Sequence, residues 1–324
     1  MVAAVVSADA AAQDWPLVVV AGPTASGKTA LALRLAEELG GEIVSCDSVA
    51  VYRLMEIGTA KPSAEERARV RHHCLDLYWP DEVCTAGDYA RAARTALAEI
   101  RARGRVPIVA GGTGLYLRAL LEGLAPAPQR DEALRARLRE RVERKGSGWL
   151  HRILQRLDFA AAEKIHANDA PKIIRSLEVT LGARQPQTEQ WLAGREALRG
   201  YRVLQMGLAP PRAVLYERIN ARAAGMFERG LVAETAMLRE RFGEACRALT
   251  SLGYAQAMAV LRGDFSVEQA IAAAQQGHRN YAKRQGTWFR GEAAMRWLAG
   301  FGDEAAVQAD ALELAVRHVA GTGA

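Results

Sequence analysis

The sequence predicts an α/β fold: a parallel sheet wrapped by helices, with a mostly helical insertion domain. Three observations predict it. Short apolar runs recur at 17–21, 42–46 and 106–110, each beside a helical pattern such as 88–103, and that alternation is how parallel strands with helical crossovers read. A glycine-bearing loop joins the first run to the first helical stretch. At "APAPQR", 125–130, the texture becomes Arg-rich and helical, and a strand pattern returns only at "YRVLQMGL", 201–208. The expected division is a mobile tail at 1–14, a core made of 15–125 and 201–324, and an insertion at 126–200.

The elements follow in order. No Lys or Arg precedes Lys28, so the start of the chain does not read as a signal or transit peptide. In "LVVVAGPTASGKT", 17–29, Gly22-x4-Gly27-Lys28-Thr29 matches the phosphate-loop pattern in full, which makes the expected sheet P-loop NTPase-like. Gly22 and Gly27 permit the tight backbone that would point successive N–H groups inward. Lys28 adds a charge, Thr29 offers a hydroxyl to Mg2+, and the new helix adds its positive end. The motif does not say whose phosphates are held. The strand at 42–46 ends in Asp47-Ser48, and the strand at 106–110 ends in Gly111-Gly112-Thr113. Ligands of open α/β sheets bind beyond the carboxyl ends of strands, so both should face the loop. Asp47 reads either as a turn cap or as a working carboxylate, and the double Gly either as a close approach to a ligand or as a plain turn. An NTPase often ends that strand with an Asp for Mg2+ or water; this chain has Gly111. "HHCLDLY", 72–78, is a weaker strand candidate.

The chain has 324 residues, a net charge of +6 and a pI near 9.3, which favours an acidic partner. The interval 126–200 adds fifteen Lys and Arg against ten Asp and Glu. Four cysteines in no CxxC or zinc spacing suggest reduced thiols in the cytoplasm. No apolar run approaches the ~18 to 20 residues that span a bilayer, so no membrane is expected. After the strand at 201–208, Leu215, Ile219, Ala223 and Met226 form a buried stripe, while Arg218 and Arg222 share another face, either solvated or reaching phosphates. "HRNYAKRQGTWFR", 278–290, lies in an interval without acidic residues between Glu268 and Glu292. It is either an exposed basic helix with aromatics packed inward, or a surface offering charge to phosphates and flat rings to unstacked bases.

Taken together, "GPTASGKT", "DSVAVYR", "IGTAKP", "GGTGLYLRALLEGL", "IHANDAPKIIRSLEV" and "NYAKRQGTWFR" closely resemble the bacterial tRNA dimethylallyltransferases, also called tRNA isopentenyltransferases, from about Leu17 to Trp297. The resemblance implies that Gly22, Pro23, Thr24, Ala25, Ser26, Gly27, Lys28 and Thr29 hold the pyrophosphate of dimethylallyl diphosphate rather than a nucleotide, with Mg2+ on Thr29. It implies transfer of the dimethylallyl group to N6 of adenosine 37, beside the anticodon, in tRNAs reading codons that begin with U. Asp47 resembles the general base; Thr113 and Arg218 resemble ligands of the leaving pyrophosphate or its Mg2+. Contacts to the tRNA anticodon stem-loop are implied for Asp47, Ser48, Val49, Ala50, Thr113 and Arg135. They are implied also for Pro171, Lys172 and Arg175, for Leu249, Gly253 and Tyr254, and for Lys283, Arg284, Gln285, Trp288 and Arg290. A cytoplasmic monomer is expected. The chain departs from the family pattern at Ala50, where many members have Gln, at Pro171-Lys172, where many have Gln-Arg, and at His278-Arg279, where Thr-Arg is common. A small-molecule or nucleotide kinase would share the loop and sheet, but would need neither the basic-aromatic stretch nor the insertion.

Overall fold

The computed structural model describes residues 14–125, 127–128, 130–192 and 194–322; apart from Asp14, the tail expected at 1–14 lies outside them. The chain forms two compact units, 122–197 and the remainder. The smaller unit begins and ends a few residues earlier than 126–200.

In the larger unit a six-stranded sheet runs in the order β3-β2-β4-β1-β5-β6, from β1 (Trp15–Ala21), β2 (Gly41–Cys46), β3 (His72–His73), β4 (Val106–Gly111), β5 (Tyr201–Leu208) and β6 (Met295–Leu298). Every neighbouring pair is parallel. Alternation along β1 sorts its side chains onto two faces. Leu17, Val19 and Ala21 join Val44, Leu97, Leu120 and Phe289, while Val18 and Val20 join Leu31, Leu35, Ile108 and Ala311. Both faces are covered by helices, which is why β1 reads as a continuous apolar run. Burial of one such Val or Leu contributes about 1.5–3 kcal/mol relative to exposure, so β1 is a main anchor of the fold. Parallel strands also bring their carboxyl ends to one edge, which gathers the turns after β1, β2 and β4.

Two strand expectations change. The candidate at 72–78 pairs only at His72–His73, because Cys74 and Asp76 take φ of 60° and 56° and leave the extended region. Asp76 then joins Lys61 and Arg67 in ion pairs. The edge strand β6, "MRWL", was not foreseen; it is four residues long and its middle two are exposed, leaving no apolar run to read.

The smaller unit contains the helices Glu132–Lys145, Ser147–Leu157, Phe159–Lys164, Ala170–Ala183 and Gln187–Leu192. Its own core joins Leu150, Leu154, Ile173, Ile174 and Leu177. Among the described residues of the whole chain, no helix is long and apolar enough to cross a membrane.

Candidate active site

The phosphate loop leaves β1 at Ala21 and enters the helix Lys28–Leu39 through Gly27, at φ 86°. A Cβ on Gly27 would lie 2.7 Å from Gly302 N, so glycine is needed there for conformation and for space. Two distant segments hold the loop. Thr24 N donates to Gln285 Oε1 at 2.8 Å, and Gly302 N donates to Ser26 O at 2.9 Å. Lys28 Nζ donates to Pro23 O at 2.6 Å. Burial first, then the charge of Arg222, pull the Lys28 ammonium down to about 7 against the opposing pull of Asp47. Two cations, Lys28 and Arg222, thus stand close enough beside the loop to act on each other.

A cleft opens beside the loop, with Thr24, Lys28, Thr29, Asp47, Arg222 and Tyr281 in its wall. Asp47 Oδ1 accepts from Val49 N at 2.8 Å and Ala50 N at 3.1 Å. Cap and cleft carboxylate are therefore the same residue, and the two sequence readings do not exclude each other. Ser48 and Val49 are half-buried, and Ala50 is buried while lining the cleft.

Arg218 does not line the cleft: its Nη1 lies 2.8 Å from both Asp303 oxygens. The arginine in the wall is Arg222, one helical turn later. Burial lowers the pKa of Arg222, with Asp47 opposing. The helical period carried a signal for this. Arg222 stands seven residues after Leu215, three after Ile219 and four before Met226, which sets it nearer the buried stripe than Arg218.

Thr113 stands behind the cleft wall. Its Oγ1 accepts from Ser48 N at 3.1 Å. It ties the turn after β2 to the turn after β4, and it is not among the residues lining the cleft. The glycines before it answer to protein neighbours. A Cβ on Gly111 would meet Cys46 O, one on Gly112 would meet Gln285 Nε2, and one on Gly114 would meet the Trp288 indole.

The stretch 278–290 lies on the helix Val267–Arg290. Its aromatics turn inward: Phe289 is buried, Tyr281 enters the cleft, and Trp288 lies half-buried beneath Arg118, 4.4 Å from the ring centroid. The rings are therefore not an open stacking platform. Burial, with Asp47 next, pushes the Tyr281 hydroxyl up to about 12, so it is a neutral phenol at working pH. Gln285 is buried as well. Its carboxamide also donates to Gly112 O at 2.9 Å, so it braces the loop from a place in the cleft wall. Lys283, Arg284 and Arg290 are exposed.

Other expected RNA contacts fall in the interior. Leu249, Gly253 and Tyr254 are buried, and the Tyr254 hydroxyl donates to Glu234 at 2.6 Å. In the smaller unit Arg175 donates to buried Glu178 at 2.7 Å, and Arg135 Nε lies 3.8 Å from the same carboxylate. Pro171 and Lys172 are exposed, with Lys172 paired to Asp169 at 2.6 Å. Lys61, Thr59 and His72 line the cleft without having been singled out; "IGTAKP" carried the first two, and nothing local marked His72.

Fold and cleft define a P-loop NTPase-like protein with the Asp47 carboxylate in the cleft wall beside the loop. The comparisons narrow this class. The IPP transferase family model matches residues 50–292. A tRNA dimethylallyltransferase of Koribacter versatilis is 58% identical over 93% of this chain and 98% of its own. The solved tRNA isopentenylpyrophosphate transferase of Bacillus halodurans is 35% identical, with a TM-score of 0.70 over 95% of this chain and 97% of the other. A eukaryotic dimethylallyltransferase solved acting on tRNA shares the fold, with a TM-score of 0.80 at 23% identity over 95% of this chain and 80% of the other. The chain belongs to the IPP transferase family, that of the tRNA dimethylallyltransferases, and is an enzyme of the prenyltransferase class.

Proposed function

We propose that this enzyme moves the dimethylallyl group of dimethylallyl diphosphate to N6 of adenosine 37, beside the anticodon of tRNAs reading U-initial codons, and releases diphosphate. The observation that carries the reading is the wall of one cleft, where Lys28 and Arg222 stand with Asp47 beside the phosphate loop. An exocyclic adenine amine is a poor nucleophile, because its lone pair is delocalised into the ring. The reaction therefore depends on drawing the diphosphate away from the allylic carbon. Loop N–H groups, Lys28 and Arg222 supply positive charge where the leaving group develops its own. Asp47 takes the amine proton as the new C–N bond forms. No water needs activation, which agrees with Gly111 at the end of β4. The target base must leave its stack to reach the cleft.

Thr29 is exposed at the first turn of its helix and lines the cleft, so its hydroxyl is free to meet a cation arriving with the diphosphate. Among the described residues no group of three His, Cys, Asp or Glu could hold a metal. One hydroxyl with substrate oxygens suits Mg2+, which keeps few protein ligands. When bound, the ion would neutralise charge on the leaving group.

The test is incubation with unmodified tRNA, labelled dimethylallyl diphosphate and Mg2+, followed by nucleoside analysis. The expected product is labelled N6-dimethylallyl adenosine at position 37. Tight ATP binding with phosphoryl transfer, and no label in tRNA, would instead favour the kinase.

A further inference from the structure

We infer that Arg218 serves the diphosphate site through Asp303, whose charge it cancels against the outside of the phosphate loop. The inference rests on the reading of the cleft as a prenyl diphosphate site. Segment 301–303 touches the loop directly: Gly302 N donates to Ser26 O at 2.9 Å. A Cβ on Gly27 would lie 2.9 Å from Asp303 N and from Asp303 Oδ1. A carboxylate is thus packed beside the residue that opens the helix Lys28–Leu39, the positive end that a bound phosphate group would use. Unpaired, that carboxylate would repel a diphosphate; paired with Arg218, it brings little net charge.

The arrangement around the pair is built rather than incidental. Arg218 reaches both Asp303 oxygens at 2.8 Å, and its guanidinium lies 3.7 Å from the centroid of the Phe301 ring. Phe301 is buried against Leu215 and Ile219 of the same helix as Arg218. Gln308 Nε2 donates to Gly302 O at 3.0 Å and fixes the segment from its other side. One helix, Arg212–Glu228, thereby sends Arg222 into the cleft and Arg218 behind the loop. The pair itself is 39% and 45% exposed, so it adds little to folding stability. Its place beside Gly27 is what gives it a consequence for ligand binding. Arg218 is a positioning residue on this account, and no atom of it needs to touch the diphosphate.

The test compares wild type, Arg218→Gln, Asp303→Asn and the double variant at low salt. Four quantities are measured: binding of inorganic diphosphate with Mg2+, KM for dimethylallyl diphosphate, affinity for tRNA, and melting temperature. Arg218→Gln should weaken diphosphate binding and raise KM by about 5- to 20-fold with kcat little changed, since it leaves a bare carboxylate at a helix N-terminus. Asp303→Asn should change both by about 2-fold or less. The double variant should return to the Asp303→Asn level, and tRNA affinity and melting should hold steady in all. Equal losses in Arg218→Gln and the double variant would overturn the inference, because Arg218 would then be touching the ligand itself. No change in any variant would overturn it too. Wild type that binds inorganic diphosphate but not dimethylallyl diphosphate would break the functional reading and leave the rescue pattern to be judged by titration alone.

Discussion

The loop at 22–29 and the helical stretch at 278–290 meet at Gln285, yet they work by different means. The loop works through its backbone. Gly22 and Gly27 take the positive φ that the turn needs, and Gln285 and Gly302 hold it through the Thr24 N–H and the Ser26 carbonyl. The helical stretch works through side chains spread around an axis by about 100° per residue, so neighbours in sequence have unlike duties. Tyr281 faces the cleft, Gln285 braces the loop, Phe289 is core, and Lys283, Arg284 and Arg290 face solvent. A backbone motif carries its geometry with it. A run of side chains acquires meaning only when its buried face is known.

The largest expected effect sharpens this contrast at Asp47. Asp47→Asn keeps an oxygen for the Val49 and Ala50 amides but loses basicity, so single-turnover transfer should fall by roughly 10²- to 10⁴-fold with melting and substrate affinities little changed. Near-normal transfer would leave Asp47 as a cap only.

Next comes Arg222→Gln. Transfer should fall by about 10²- to 10³-fold, the usual cost of removing a donor from developing negative charge, against far less for Arg218→Gln. The reverse ranking, measured under saturating tRNA, would return the catalytic duty to Arg218.

Lys28 supplies a pH test. Its pKa in the free enzyme is lowered to about 7, so it is charged below that pH and increasingly neutral above it. A diphosphate prefers the charged form, so affinity should fall as pH rises from 7 to 9, by at most about tenfold per unit, and binding should take up a proton. Calorimetry in buffers of different ionisation enthalpy would read that uptake. It should diminish in Lys28→Met, where only the proton equilibria of diphosphate itself remain.

Smaller effects divide the expected RNA contacts. Leu249→Ala should cost about 2–5 kcal/mol of stability by leaving a cavity, while tRNA affinity per folded molecule stays put. Neutralising Lys283, Arg284 or Arg290 should do the opposite. Each should reduce the slope of log affinity against log salt by about one if it meets a phosphate, with no loss of melting temperature. A Leu249 variant that folds normally but binds tRNA poorly would reverse the burial argument.

What the sequence determined by itself was local and periodic. β1, β2, β4 and β5 were legible because strands buried between helices are mostly apolar, and the phosphate loop was legible because its glycines have few substitutes. Asp47 followed from its place at a strand end, since all strand ends of a parallel sheet share one edge. Tertiary structure alone decided the rest. It set Arg222 in the cleft wall and Arg218 against Asp303, tied Thr113 to Ser48 and Gln285 to the loop, and buried Leu249 and Tyr254. Those outcomes depend on partners such as Asp303, Ser48, Gly112 and Glu234, which stand from 20 to 173 residues away in the chain. Residue type states what a side chain can bond. Only packing states which of its possible partners lies within reach.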